Sequence, residues 1–207
     1  MTIKGLNKRI INAAEHLFLK EDAESAFSEI CIAIDALASR IYYRKGRKSY
    51  MLFIKDRMDI ITLIAFRGVC IRNLYVAVKP FDDGTGKIIS ADKIDENGVS
   101  LYSFEQIVYY LIRCKQIHTA EIADCLIDTG INGKCIKLDN VIFSFSFYNF
   151  AFCLLIALIS EIEMTDVFHN TVFEKRAING IQLSHLFGKK QKAIEILTNE
   201  VNNKRVI

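Results

Sequence analysis

The most apolar part of the chain, residues 141–160, sets the first constraint on the fold. Its unbroken apolar run, Phe150–Ile159, is shorter than the roughly 20 apolar residues that a membrane-spanning helix needs. The first half of the region is interrupted by polar side chains, namely Ser144, Ser146, Tyr148 and Asn149. A helix that is apolar on every side is covered by protein on more than one side. The region therefore predicts a buried helix, either in the core or at a dimer interface.

Length and composition allow one domain, or one domain with a small extension. Hydrophobic residues make up 51% of the 207 residues, which is enough for a core and excludes a disordered chain. Charged residues make up 25%, and the net charge is +3. Because this balance does not by itself predict nucleic-acid binding, an electrostatic argument must rest on local clusters of charge.

The cysteines and the N-terminal region indicate a reducing compartment. None of the six cysteines forms a Cys-x-x-Cys pair, and residues 1–16 lack the basic tip and apolar run of a signal peptide. We therefore expect a cytoplasmic protein with free thiols. A zinc site is an alternative, but the spacing of its ligands matches no standard zinc module; they would be Cys114, His118, Cys125 and Cys135. We expect no metal and no cofactor.

Apolar residues at helical spacing predict three helices in the N-terminal third, at about residues 6–20, 22–43 and 49–66. Two carboxylates of the second helix, Glu29 and Asp35, fall within or beside its apolar stripe. They are either partly buried near an active site or part of a solvated face. A final amphipathic helix is predicted at residues 189–201.

Residues 40–50 interleave five basic residues with three tyrosines, and Lys55 and Arg57 extend the cluster. Basic side chains suit phosphates, and tyrosine rings stack on unpaired bases. The segment is thus a candidate RNA-binding surface. The alternative is that the cations stabilise a helix C-terminus and that the tyrosines pack with their hydroxyls in water.

Two segments predict small β-hairpins between the helices. Residues 74–78 and 87–90 flank a turn inside an insertion at residues 74–98. Residues 125–138 alternate around Asn132-Gly133, which is a strong hairpin signal. Between the two, Ser100 or Ser103 can cap a helix, and Ser103 with Gln106 would form a capping box.

That next helix carries an arginine and a histidine separated by four residues, Arg113 and His118. Arginine offers a permanently charged fork that suits phosphate, and histidine transfers protons near neutral pH. On one ideal α-helix the two side chains would point about 140° apart. Either the helix breaks near Thr119, or a second copy of the motif completes the site.

The Arg-x4-His spacing resembles the signature of the HEPN (higher eukaryotes and prokaryotes nucleotide-binding) domain family. Residues 33–40 also resemble the first long helix of bacterial HEPN-like proteins, and the resemblance covers most of residues 20–165. It implies a mainly α, up-and-down helical bundle with one or two small β-hairpin insertions. We expect residues 1–207 to form a single domain, with the insertion at 74–98 and a C-terminal extension at 165–207.

The resemblance implies a metal-independent endoribonuclease that acts as a homodimer in a toxin–antitoxin or phage-defence system. Its partners would be RNA and a second protein such as an antitoxin. Arg113 and His118 would be catalytic, because the RNA 2′-hydroxyl attacks the adjacent phosphate and leaves a cyclic phosphate. The residues expected to bind RNA are Arg40, Tyr43, Arg44, Lys45, Arg47, Lys48 and Lys115. The residues expected to support the site are Gln116, Thr119 and Glu121, although a family pattern with glutamate directly after the histidine is not matched.

The alternative function is a catalytically inactive helical module for dimerisation or RNA binding. Arg113 would then be in an ion pair, and His118 would be a capping or core histidine. An exposed Arg113–His118 cleft at a two-fold axis favours the enzyme, whereas burial with hydrogen-bonded partners favours the module. Membrane association through residues 141–160 is a third alternative, which the polar interruptions disfavour.

Overall fold

The computed structural model describes residues 3–43, 46–65, 73, 75–83, 86–114, 126–128, 134–137, 144–178 and 180–204. The first two helices are α1 (Ile3–Leu19) and α2 (Ala23–Ile41), and they pack against each other. Asp22 caps α2, because its side chain accepts a hydrogen bond from the Ser25 amide at 3.0 Å. Both helices lie close to the predicted bounds.

The predicted third helix is interrupted at Arg57, and that prediction was wrong. The structure has two helices, α3 (Arg47–Asp56) and α4 (Met58–Ala65). The Arg57 amide donates to Ile54 O at 3.2 Å instead of continuing the α-helical ladder, and the Arg57 side chain turns into the core. No glycine or proline lies at the break, and the residue between the two helices carries a buried charge.

A three-stranded antiparallel sheet follows, with β1 (Tyr75–Ala77), β2 (Lys93–Ile94) and β3 (Ser100–Ser103) in the order β1-β3-β2. The predicted strand at residues 87–90 is not the partner of β1, since Ile88 forms only an isolated bridge with Asp82. β3 fills that role instead.

Ser103 is the N-cap residue of the helix that begins at Phe104, as predicted, but the expected capping box is not formed. The Ser103 side chain makes no capping hydrogen bond, and its amide donates to Asp92 Oδ2 at 2.9 Å. Ser103 is thus the last residue of β3 and also the N-cap position of the next helix, without a side-chain cap.

The helix after β3 changes type part-way along. It begins as α5 (Phe104–Ile107) and continues as a π-helix, Val108–Cys114. The π-helix packs against α3 and α5. Such segments are rare and frequently lie at functional sites.

The second sheet contains β4 (Leu126–Asp128), β5 (Lys134–Lys137) and β6 (Ser144–Ser146), all antiparallel. Ile127 pairs with Cys135, which confirms the hairpin predicted around Asn132-Gly133, although the turn itself lies outside the described residues. β6 replaces the start of the helix that we predicted from residue 141.

The apolar region forms α6 (Phe147–Ile159), whose first turn is capped by Ser146. Apart from Tyr148 and Asn149, every side chain of α6 is buried, and the helix packs against α1, α2 and α4. The prediction of a buried helix is confirmed. None of the helices in the described ranges is long and apolar enough to cross a membrane.

The C-terminal part consists of short elements and one longer helix. They are a 3-10 turn at Asp166–Phe168, α7 (Val172–Lys175), the hairpin of β7 (Ala177–Ile178) and β8 (Ile181–Gln182), a 3-10 turn at Leu183–Leu186, and α8 (Lys190–Lys204). Helix α8 packs on α4 and α6. The C-terminal part therefore contributes to the main core. The chain is mainly helical with small antiparallel sheets.

Candidate functional site

The candidate site centres on an ion pair between the π-helix and α2. Arg113 Nη2 lies 2.5 Å from Asp35 Oδ2. The Arg113 side chain is 12% exposed and that of Asp35 is 30% exposed. The other carboxylate of the α2 stripe, Glu29, instead pairs with Arg9 at 2.8 Å. Only Asp35 of these two carboxylates therefore belongs to the Arg113 site.

Aromatic rings and a thiol hold the Arg113 guanidinium on its other sides. The guanidinium carbon lies 5.0 Å from the ring centre of Tyr109 and 5.9 Å from that of Tyr50, both within the range of cation–π attraction. Arg113 Nη1 donates to Cys114 Sγ at 3.7 Å. The guanidinium is thus fixed by contacts from α2, α3 and its own π-helix.

Behind the guanidinium lies a buried thiol–phenol pair. Cys31 Sγ and the Tyr50 hydroxyl are 3.2 Å apart, and both side chains are fully buried. Burial raises the pKa of Cys31 to about 12 and raises the pKa of Tyr50 well above its usual value. Burial also raises the pKa of Cys114. These thiols stay protonated at neutral pH, so they are poor nucleophiles there.

Arg113 remains charged in this environment. Burial opposes the charged form, but the charge and hydrogen bond of Asp35 outweigh burial and raise the pKa of Arg113. The site therefore contains a fixed cation that donates hydrogen bonds to the Asp35 carboxylate and to the Cys114 thiol. Such a cation suits the binding of an anion.

The π-helix determines the direction of Arg113. Our estimate of 140° between Arg113 and His118 assumed a regular α-helix, and Val108–Cys114 is not one. His118 lies outside the described residues, so the structure gives no relation between the two side chains. Lys115, Gln116, Thr119 and Glu121 lie outside the described residues as well.

An exposed group lies at the α2–α3 junction; we call it the basic corner, consisting of Arg40, Tyr43, Arg47 and Lys48. All four of its side chains are exposed, and Tyr43 is 94% exposed. Arg44 and Lys45, which the sequence adds to this surface, lie outside the described residues. The described part of the predicted RNA-binding segment is therefore open to solvent.

One residue of the basic corner, Arg47, is connected to the Arg113 site by a row of contacts. Arg47 Nη1 donates to the Tyr110 hydroxyl. The Tyr110 and Tyr109 ring centres are 5.1 Å apart, and Tyr109 contacts Arg113. A row of side-chain contacts thus runs from the exposed Arg47 through the buried Tyr110 to Arg113, which is 12% exposed.

Two residues of the predicted basic–aromatic cluster, Arg57 and Tyr50, do not belong to that exposed surface, and a third, Tyr42, is half-buried. Arg57 is 3% exposed and pairs with Glu161, while Tyr50 is buried against Cys31 and Tyr42 bonds to Asp56 at 2.6 Å. Our assignment of Arg57 to the basic cluster was wrong, because an apolar neighbourhood with a paired carboxylate can hold an arginine inside.

Sequence reasoning missed the parts played by Tyr109, Tyr110 and Cys31. The adjacent tyrosines directly before Leu111 and Ile112 were a usable signal, since aromatic rings beside an arginine are common cation–π partners. Cys31 gave no such signal, because an isolated thiol in an apolar stripe reads as core. The zinc alternative depends on the side chains of His118, Cys125 and Cys135, which the structure does not describe.

Comparison with known proteins yields one family. A family model named Rv1289 matches residues 6–133, a range that begins in α1 and includes Asp35, the basic corner and Arg113. No curated protein sequence matches the chain significantly, and no solved structure does. Because the matched range is more than half of the chain, the chain belongs to the Rv1289 family.

Proposed function

We propose that this protein is a metal-independent endoribonuclease of HEPN type, in which Arg113 binds the phosphate and His118 moves the protons. The observation that carries the proposal is the continuity between Arg113 and the exposed basic corner through Tyr110 and Tyr109. A surface of this kind binds the RNA backbone along the corner and places one phosphate at the deeper arginine.

Arg113 is suited to the charge that develops during cleavage. Its guanidinium is mostly withdrawn from water, and a charge in such a place acts more strongly on a bound anion than an exposed one does. The Tyr109 ring and the Cys114 thiol restrict its movement. The cation is therefore preorganised for a phosphate.

The proposed reaction uses the RNA 2′-hydroxyl as the nucleophile. The 2′-oxygen forms a bond to phosphorus and gives up its proton to a histidine. The bond to the 5′-oxygen breaks, and this oxygen receives a proton. The products are a 2′,3′-cyclic phosphate and a 5′-hydroxyl. Because one step removes a proton and the other supplies one, two His118 side chains from paired protomers would serve as base and acid.

The basic corner would supply backbone affinity, and Tyr43 would stack on an unpaired base. We place this activity in the cytoplasm, in a toxin–antitoxin or phage-defence setting where a second protein restrains it. Lys115, Gln116, Thr119 and Glu121 are proposed to assist the phosphate site, and Arg44 and Lys45 to extend the corner.

The test is cleavage of single-stranded and structured RNA by purified protein in EDTA. We expect Arg113→Ala and His118→Ala to lower the rate by at least about 100-fold. Arg9→Ala is the matched control, because Arg9 also pairs with an α2 carboxylate but lies outside the site. Equal cleavage by the wild type and all three variants would end the proposal.

A second candidate is RNA binding without cleavage, and one observation favours it. Arg113 is 12% exposed and already bonded to Asp35, which is the arrangement expected of a structural ion pair. In this case the wild type would bind RNA through the basic corner without cleaving it. Arg113→Ala would then lower the unfolding temperature and leave RNA affinity unchanged.

The dimer can be tested separately by light scattering during size-exclusion chromatography. A mass near twice 23.6 kDa is expected for the enzyme, because the proposed site needs two copies of the motif. A strict monomer that nevertheless cleaves RNA would contradict the composite site.

A further inference from the structure

Asp35 and an RNA phosphate would compete for the same donor of Arg113. Asp35 Oδ2 occupies Arg113 Nη2 at 2.5 Å, and Asp35 is the more exposed partner of the pair. Carboxylate and phosphodiester oxygens accept from the same guanidinium N–H groups with similar geometry. Two anions at one nitrogen also repel each other. Nη2 carries two hydrogens, so the carboxylate opposes a phosphate at this nitrogen mainly through that repulsion, which ends when the carboxylate leaves.

Arg113 has other contacts that do not depend on Asp35. The Tyr109 ring lies 5.0 Å from its guanidinium, the Tyr50 ring lies 5.9 Å away, and Cys114 Sγ accepts from Nη1 at 3.7 Å. All three come from the π-helix or α3. When Asp35 moves away, these contacts keep the guanidinium in place, so the freed Nη2 remains directed at the same point.

We propose that Asp35 is a built-in competitor for the phosphate site, so that RNA binding at Arg113 requires exchange of the carboxylate for a phosphodiester. This rests on the proposed binding of RNA at Arg113. The Asp35–Arg113 pair is close to electrically neutral and attracts a phosphate weakly. Only RNA that also engages the basic corner gains enough free energy to displace the carboxylate, and short or isolated phosphates are rejected.

The experiment measures binding of a 2′-O-methyl RNA oligonucleotide, which lacks the attacking hydroxyl, by fluorescence anisotropy at fixed salt. We expect Asp35→Asn to bind about tenfold more tightly than the wild type, since hydrogen bonds to a charged group are among the stronger ones. Inorganic phosphate should inhibit binding to Asp35→Asn at lower concentration than binding to the wild type.

Glu29→Gln is the matched control. Glu29 is on the same helix, pairs with Arg9 and loses one negative charge on substitution, so a general charge effect would raise the affinity of both variants equally. The gain should also pass through Arg113. Asp35→Asn combined with Arg113→Ala should therefore bind no more tightly than Arg113→Ala alone.

Asp35→Glu keeps the carboxylate and should restore affinity to near the wild-type value. If Asp35→Asn does not fold, as judged by circular dichroism, Asp35→Ser replaces it in every comparison. Unchanged or weaker binding by the folded variant without the carboxylate would overturn the proposal. An equal gain in Glu29→Gln would overturn it as well.

Failure of this inference can be told apart from failure of the ribonuclease. Suppose that neither the wild type nor any variant cleaves unmodified RNA, but that Asp35→Asn binds RNA more tightly and this gain requires Arg113. The role of Asp35 as a competitor is then supported and the ribonuclease activity is not. Suppose instead that Arg113→Ala and His118→Ala lose cleavage, but that Asp35→Asn binds RNA no more tightly than the wild type. The ribonuclease activity is then supported and the role of Asp35 as a competitor is not.

Discussion

The guanidinium of Arg57 lies 2.9 Å from the carboxylate of Glu161, and this ion pair connects the break between α3 and α4 to the end of α6. Arg57 also donates to the Tyr42 hydroxyl at 2.9 Å and to Phe53 O at 3.3 Å. Its side chain is almost fully buried. One cation thus holds together the ends of α2, α3 and α6.

Glu161→Gln should lower the free energy of unfolding by about 3 kcal/mol, because it leaves a buried charge without its partner. The measurement is urea denaturation at neutral pH. Glu163→Gln is the control, since Glu163 is exposed and should change stability by less than about 0.5 kcal/mol. Equal midpoints for the two variants would mean that the Arg57 pair contributes little.

Phe173→Ala should lower the free energy of unfolding by about 4 kcal/mol, because it removes a ring from a fully buried site. The Phe173 ring lies 5.8 Å from that of Phe168 and 5.2 Å from that of Phe187. Val167→Ala is the control, because Val167 is half exposed. If both variants unfold at the wild-type urea concentration, the C-terminal part is not in the cooperative unit.

The stability of the fold should fall as the pH rises above about 8.5. The pKa of Cys31 is raised to about 12 in the fold by burial, whereas an unfolded thiol loses its proton near pH 8.5. The stabilising effect of the protonated thiol is fully present below the unfolded pKa and is lost as the pH approaches the folded pKa. Between those limits, the unfolding free energy should fall by about 1.4 kcal/mol per pH unit from this group.

The check is urea denaturation from pH 7 to 10.5 for the wild type and Cys31→Ala. The alanine variant has its own stability cost, so only the slopes against pH are compared. Its curve should be flatter than that of the wild type by the contribution of the thiol. Parallel curves would show that Cys31 ionises equally in both states.

Tyr110→Phe should weaken RNA binding severalfold and lower stability by about 1 kcal/mol. The substitution removes the hydroxyl that accepts a hydrogen bond from Arg47. Arg47 then loses this contact in the row of side chains that leads to Arg113. RNA anisotropy and urea denaturation measure the two effects. Tyr75→Phe is the control, because the Tyr75 ring contacts Lys93 in the sheet and not a residue of the basic corner.

The sequence predicts elements whose signal is local. The α2 stripe, the buried α6 and the strand pairing around Asn132-Gly133 each follow from spacing within about 20 residues. The break at Arg57 has no such signal, because no glycine or proline marks it. The π-helix could not be predicted for a related reason. Apolar and aromatic residues occupy most of Val108–Cys114, so their spacing does not determine the number of residues per helical turn.

The candidate site shows the same limit. Arg113 and the exposed part of the basic corner were visible in the sequence as single residues with suitable chemistry. The pairing of Arg113 with Asp35 was not, because the two are 78 positions apart and Glu29 is an equally good carboxylate by pattern. Only the packing of the π-helix on the bundle distinguishes them.

The position of α6 near the middle of the bundle has a consequence for synthesis on the ribosome. Helices α1, α2 and α4 turn their apolar faces toward a helix that begins only at Phe147. During translation these apolar faces emerge well before α6 and stay exposed to solvent until α6 leaves the exit tunnel. Long-range closure of this kind slows folding and leaves apolar surface exposed, so we expect the nascent chain to be prone to aggregation until residue 159 has emerged from the tunnel.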